Sequence, residues 1–479
     1  MISVLISPAQ CQSDGGDTRI SQLVDENQGA MIGSIQELIR IKSTRGDPGP
    51  GMPFGPGPAD ALDKALSIAR CMGFNTTNLD GYVGYAEFGQ GDEYVGVLAH
   101  LDVVPEGTNW TYPPYSAEIH DGKMYGRGAI DDKGPAMAAL YAAKALRDSG
   151  LHLSKKVRVI FGTTEETGDE DVIYYLSHEK PPVLGFTPDG YYPVVYAEKG
   201  NTNFNLVRDL VNRSPETRVI SIQGGTAGNS VPDQAQAEVI TSNPAALIQA
   251  CRNFANLTGY DLTAEEADGK VMIRSRGVAA HGSEPEKGKN AIMRLLAFLD
   301  TLNLGSSDLG MAIHFINSKV GEETDGRSFG VAMSDNISGN LSFNVGMIDA
   351  TEDRIRLALN LRYPVTCTFE DMMNPFNQTI SGTDFRVENM IDQKPLYYPR
   401  NSRLVNTLLK VYSEMTGDKG EPLAIGGGTY AKQMPNTVAF GPIFPGRPMV
   451  EHQPNEYILL QDLLFNAKIY AQAIYELAK

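Results

Sequence analysis

Residues 94–102 read Y-V-G-V-L-A-H-L-D and residues 157–166 read V-R-V-I-F-G-T-T-E-E. Both are apolar, β-branched runs that end in proton- or metal-binding side chains. Runs of this kind suit strands buried on both faces, and open α/β sheets carry their chemistry at the carboxyl ends of such strands. His100 and Asp102 therefore fall at one strand end, and Glu165 and Glu166 at another. Between them, G-R-G-A-I-D-D-K-G (126–134) turns tightly into the small apolar run Pro135 to Leu146, which has helical propensity and period. Short strands alternate with helices through Tyr192, predicting an α/β layer with a mixed, largely parallel sheet flanked by helices.

Side chains at i and i+2 of an extended chain point the same way, so Asp102 can hold one imidazole nitrogen of His100 while the other meets a metal. Standing alone, the pair would read as a strand-end histidine in a hydrogen-bonded turn. Asp131-Asp132, at a strand-to-helix junction, suits a carboxylate bridging two cations, or equally an acidic helix N-terminus that complements the macrodipole. In Glu165-Glu166 successive side chains diverge, so one acid can bind metal while its neighbour faces a water. F-T-P-D-G (186–190) adds Asp189, and E-H-Q-P-N-E (451–456) adds His452. Two histidines with three or four carboxylates form a nitrogen and oxygen donor set suited to zinc, or to manganese or cobalt, in a two-metal site with cations about 3.5–4 Å apart. A hydrolase is the natural reading.

The chain has 479 residues, which predicts two or three domains. With 58 acidic against 41 basic residues its net charge is −17, and no basic patch offers the footprint that nucleic-acid binding requires. Cys11, Cys71, Cys251 and Cys367 are widely spaced with no CxxC pair, so reduced thiols and a cytoplasmic location are expected. No apolar run reaches membrane-spanning length. The run from Met1 to Cys11 lacks the basic region and length of a signal peptide and reads as an appended or frayed leader.

In chain order, a helix is expected from Ile32 to Ile41, a Pro- and Gly-rich rim loop over 46–57, a helix from Ala59 to Cys71, and strand material from Phe74 to Phe88 turning at Asp80-Gly81. The loop's glycines have no preceding strand and are broken by prolines, which rejects a dinucleotide fingerprint. From Asn201 the texture changes to alternating strands (203–207, 218–222, 354–362) and helices such as 244–256, without a second metal constellation. The chain then returns to metal-site sequence near His452. An inserted domain and a discontinuous catalytic domain follow. Gly426-Gly427-Gly428-Thr429-Tyr430 lacks the lysine of a phosphate loop, so Gly428 and Thr429 are expected to approach substrate rather than nucleotide.

H-L-D-V-V-P-E-G with Trp110, G-R-G-A-I-D-D-K-G, T-T-E-E-T-G, F-T-P-D-G-Y-Y-P-V and E-H-Q-P-N-E together resemble the co-catalytic zinc peptidases of the aminoacylase and carboxypeptidase G clan, and within it the PepV-type dipeptidases. The resemblance runs from Ile35 to the last helix, with the family's start matching near Met31. It implies a catalytic domain of 1–198 and 396–479 and an inserted α+β lid of 199–395. His100 and Asp189 would bind one metal, Glu166 and His452 the other, with Asp131 bridging both. Asp102 would orient His100, and Glu165 would be the general base acting on a metal-bridging water. From the lid, His281 resembles the histidine that stabilises the tetrahedral intermediate, Asn229 the asparagine that polarises the scissile carbonyl, and Arg362 the guanidinium that binds the substrate's free carboxylate. Without the resemblance these three would read as a loop histidine, a turn asparagine and a solvated strand-end arginine. Lid residues contribute only on domain closure. His120, His152, His178 and His314 match no ligand motif.

The implied activity is hydrolysis of unblocked dipeptides by a monomer with two divalent cations, zinc first. An N-acyl amino acid deacylase or desuccinylase of the same clan is the alternative. A glycosidase fits poorly, since adjacent acids in one turn do not flank a bond from positions about 5 Å or more apart. A non-catalytic metal-binding module would not need the uncommitted Glu165.

Overall fold

The computed structural model describes residues 15–213, 217–304 and 307–479; the run from Met1 to Cys11 lies outside them. The chain forms two compact units. One comprises the described residues up to Tyr196 with Tyr398–Leu423 and Thr429–Lys479, the other Ala197–Tyr397 with Ala424–Gly428.

The first unit is built on a mixed sheet with strands in the order Asn75–Leu79, Val83–Phe88, Lys156–Gly162, Tyr94–His100, Leu184–Thr187, Thr437–Ala439 and Val195–Glu198. Its centre is parallel: Tyr94–His100 pairs parallel with Lys156–Gly162 and with Leu184–Thr187, which pairs parallel with Thr437–Ala439. The flanking pairs are antiparallel. All seven residues of Tyr94–His100 are buried, as a central strand covered on both faces requires. The antiparallel pair Asn75–Leu79 and Val83–Phe88 is joined at Asp80 and Gly81, both at positive φ.

Helix Lys133–Ser149 begins two residues after Asp131 and packs on the strands Tyr94–His100 and Lys156–Gly162. Its alanines favour helix and let neighbours approach closely, Pro135 sits in the first turn where no helical hydrogen bond is lost, and Gly150 ends it in the left-handed region at φ 73°. Helix Leu460–Ala478 lies along it. Helix Gly15–Glu26 buries Ile20, Leu23 and Val24 and packs against both Lys133–Ser149 and Leu460–Ala478. Three such side chains contribute about 1.5–3 kcal/mol each, so this segment belongs to the fold.

The second unit is an eight-stranded sheet in the order Asp261–Ala267, Lys270–Arg276, Gln234–Ile240, Arg218–Gly224, Ser342–Thr351, Arg354–Tyr363, Gly200–Asp209 and Arg386–Gln393. Every neighbouring pair is antiparallel. One core binds it, drawing Phe204, Leu357 and Leu359 from strands and Leu295, Ile313 and Phe376 from helices Ala291–Leu299, Asp308–Lys319 and Phe369–Ile380. Among the described residues, no helix is long and apolar enough to cross a membrane.

Candidate active site

Parallel pairing of Tyr94–His100 with Lys156–Gly162 sets His100 opposite Gly162, so the segments carrying His100 and Glu165-Glu166 leave the sheet side by side. His100 is fully buried; its Nε2 lies 2.9 Å from Asp131 Oδ1 and 3.8 Å from Asp189 Oδ2. Its Nδ1 is 3.0 Å from the backbone carbonyl of Asp102 and 3.5 Å from that residue's carboxylate. The carboxylate of Asp102 also accepts the backbone N–H groups of Glu165 and Glu166, each at 3.1 Å.

His452 Nε2 stands 3.0 Å from Asp131 Oδ2 and 3.0 Å from Glu166 Oε2, so Asp131 links the two imidazoles through its two oxygens. Ligand atoms of His100, Asp131 and Glu166 lie within 4.8 Å of one another, as do those of His100, Glu165 and Asp189. The five residues His100, Asp131, Glu166, Asp189 and His452, together with Glu165, are thus gathered in one place.

Burial pushes the Glu165 carboxyl well above its ordinary value, and the charge of Asp189 adds to this. Burial raises Glu166 as well, with Asp131 acting in the same direction. For His100, burial opposes protonation, but hydrogen bonds to Asp102 and Asp131 outweigh it and hold the pKa well above the usual imidazole range. Crowded carboxylates that raise one another's pKa values need positive charge, and nitrogen and oxygen donors converging at this spacing fit divalent cations.

A buried ion pair holds the backbone of this site. Arg127 Nη1 and Glu456 Oε2 are 2.6 Å apart, with side chains 2% and 0% exposed. Glu456 Oε1 accepts the backbone N–H groups of Ile130 and Asp131 at 3.0 and 3.3 Å. Arg127 Nη2 reaches the carbonyls of Pro105 and His452, and its guanidinium lies over the Trp110 ring. Arg127 therefore ties together the loops that follow His100, precede Asp131 and carry His452. His452 itself takes a left-handed backbone at φ 62°, a conformation that costs of order 1 kcal/mol and persists only where the surroundings hold it.

Behind His100, Tyr430 packs edge-on to the imidazole with ring centres 6.2 Å apart, and its hydroxyl donates to Asp171. Asp171 also accepts the N–H groups of Thr163 and Thr164, fixing the turn that leads to Glu165. Gly162 makes room for this: a Cβ there would lie 2.2 Å from the Tyr430 hydroxyl. Thr429 uses its hydroxyl to accept the N–H of Ala431 at the start of the short helical turn Tyr430–Lys432, while Gly428 is exposed.

In the second unit a short antiparallel pair sets Ser230 opposite His281, and the N–H of Gly282 donates to the Asn229 carbonyl at 2.7 Å. Asn229 and His281 are both exposed and adjacent. Asn344 Nδ2 donates to the carbonyls of Gly228 and Ser230, each at 2.9 Å, and so holds the turn bearing Asn229. Arg362 is buried at the end of strand Arg354–Tyr363, donating from Nε to Asn360 Oδ1 at 3.0 Å and from Nη1 to the Gly426 carbonyl. The glycine run thus meets Arg362 through its backbone.

Sequence reasoning assigned no role to Arg127, Glu456, Tyr430, Asp171, Asn344 or Asn360. Arg127 and Glu456 sat inside quoted motifs, and an arginine between two glycines beside a ligand was the available signal. The other four sit in ordinary strand, helix or turn contexts.

The YtjP protein of Bacillus subtilis (strain 168), named as a candidate dipeptidase, is 40% identical over 455 residues, covering 94% of this chain and 97% of its own. A Staphylococcus epidermidis protein named in the same way is 36% identical over 459 residues, covering 94% and 97%. The fold is similar to that of human carnosine dipeptidase 1, with a TM-score of 0.56 at 16% identity over 97% of this chain and 99% of that one. It is similar also to aminopeptidase PepT of Bacillus cereus, at a TM-score of 0.56, 14% identity and coverage of 95% and 99%. Residues 96–476, which contain the whole His100 to His452 constellation, match the peptidase family M20/M25/M40, and the chain belongs to that family of metallopeptidases.

Proposed function

We propose that this metallopeptidase is a dipeptidase of the PepV type, which hydrolyses the peptide bond of unblocked dipeptides. The observation that carries the substrate reading is Arg362, a buried guanidinium that forms no ion pair with an acid among the described residues. A planar cation so placed matches a planar carboxylate bidentately, and a free dipeptide ends in one. The candidate-dipeptidase names of its relatives point the same way.

In this reading 1–198 with 396–479 form the catalytic domain and 199–395 the lid. His100 and Asp189 would hold one cation and Glu166 and His452 a second, with Asp131 shared between them; zinc would be preferred and manganese or cobalt would substitute. When bound, two such cations would polarise the scissile carbonyl and acidify the attacking water. Glu165, an acid left outside this ligand set, would take a proton from the water and pass it to the leaving amine. Asp102 orients His100 and also fixes Glu165 and Glu166 through their backbones. His281 and Asn229 donate to the oxygen on which charge develops, Gly428 and Thr429 border the substrate, and Arg362 takes its terminal carboxylate. Free Cys71, Cys251 and Cys367 support a cytoplasmic location, and the working unit is read as a monomer.

The test is hydrolysis of unblocked dipeptides, a tripeptide and N-acyl amino acids by metal-stripped protein with zinc, manganese or cobalt restored. Metal-dependent cleavage confined to the dipeptides is expected. Cleavage of the N-acyl amino acids instead would make the protein a deacylase on the same metal residues.

A further inference from the structure

A buried arginine ordinarily has a carboxylate partner, because an unpaired interior charge is costly. Arg362 is 3% exposed, yet no acid pairs with it among the described residues, and the charged side chain that acts on it is another cation, Lys199. Antiparallel register sets Arg362 opposite Asn201 on one neighbouring strand and Ser342 on the other; two residues earlier, Asn360 lies opposite Asn203 and Asn344. Residues two apart on a strand share a face, so the guanidinium sits in a patch of amides and a hydroxyl.

Asn360 is the centre of that patch, and its orientation is fixed. Its Nδ2 donates to Asn201 Oδ1 at 2.7 Å and to Asn203 Oδ1 at 2.8 Å, which leaves Oδ1 to accept from Arg362 Nε at 3.0 Å. Burial lowers the Arg362 pKa to about 10, so the group remains a cation at neutral pH. An aspartate at position 360 would hold Nε at least as well, since charge-assisted bonds are the stronger ones. It would also cancel the charge that a substrate has to find.

We propose that Asn360 is a specificity-determining positioning residue: it aims Arg362 with a neutral acceptor and so reserves the full guanidinium charge for a substrate's free carboxylate. The inference rests on the reading of Arg362 given above and extends it to the reason a dipeptide is preferred over a substrate without that carboxylate. The neighbouring amides can rotate to donate instead of accept, so Asn360→Asp fits the same space and changes chiefly the charge.

The experiment compares an unblocked dipeptide with its C-terminal amide, using full-length, zinc-loaded Asn360→Asp, Ser342→Asp and Arg362→Ala. Ser342→Asp brings an acid to Arg362 from the opposite strand and decides the matter if Asn360→Asp does not fold. Losing a charge-assisted contact corresponds to roughly a 10- to 100-fold rise in KM for the free dipeptide. In both acidic variants that rise is expected with kcat little changed, while KM for the amide stays near the unmodified protein's. A KM for the free dipeptide that does not rise, or rises equally for both substrates, overturns the proposal if Arg362→Ala still selectively impairs the free dipeptide. If Arg362→Ala impairs both substrates alike, the carboxylate reading of Arg362 fails and the role of Asn360 falls with it.

Discussion

The two carboxylate oxygens of Asp102 accept the backbone N–H groups of Glu165 and its neighbour Glu166, each at 3.1 Å. Asp102 follows the strand that ends at His100, and Glu165 follows the adjacent parallel strand, so one buried side chain joins two strand ends at the site. Asp102→Asn presents an amide N–H to one of these donors and leaves it unpaired. Contacts that orient such residues are commonly worth about 10- to 100-fold in activity. We expect a fall of that size in kcat with a smaller change in KM; a variant with unmodified kcat would reduce Asp102 to a folding role.

Glu165 lies beside Glu166 at the turn but is assigned the proton rather than the metal. Glu165→Gln should bind zinc with near-normal stoichiometry and lose hydrolysis by about 10²–10⁴-fold. Metal content and turnover measured on the same sample test this, and loss of zinc along with activity would make Glu165 a ligand.

Arg127 and Glu456 form the buried pair that ties the loops around Asp131 and His452. Arg127→Met leaves Glu456 buried without its partner, which costs about 3–5 kcal/mol. The melting temperature should fall, and zinc should dissociate more readily because Asp131 and His452 are no longer held in register. Calorimetric zinc titration alongside thermal unfolding separates the two effects. Unchanged zinc affinity in a destabilised variant would leave the pair a purely structural one.

Burial pushes the Asp171 carboxyl up to about 7, although the Tyr430 hydroxyl and the Thr163 N–H pull it down. The folded state therefore binds this proton more tightly than the unfolded chain, whose carboxyl titrates near 3.8. Stability from this group is fully present below the unfolded value and is lost as pH rises through the folded one. Asp171→Asn removes the dependence. Urea unfolding at several pH values between 4 and 8 should show the unmodified protein losing stability relative to the variant as pH rises. A constant difference across that range would mean Asp171 stays ionised in the folded protein.

Several elements follow from neighbours in sequence alone. The run Tyr94 to His100 is apolar enough to demand burial on both faces, and the turn after it must carry His100 and Asp102 to a strand end. The alanine run after Asp132 is a helix for the same local reason, since nothing in its composition competes with helical hydrogen bonding. The helix over Gly15–Glu26 was missed because only its contact with two distant helices makes Ile20, Leu23 and Val24 core residues.

Hydrophobic period and turn chemistry act over a few residues, so the strands, the turns and the chemical type of the side chains at their ends are legible along the chain. Tertiary structure alone decided that Asp131 stands between His100 and His452, that Arg127 pairs with Glu456, and that Asn203 comes to lie opposite Asn360. Those contacts depend on strand register and on loops meeting across hundreds of residues. The free energy that fixes them is the burial of both cores, which no local stretch contains.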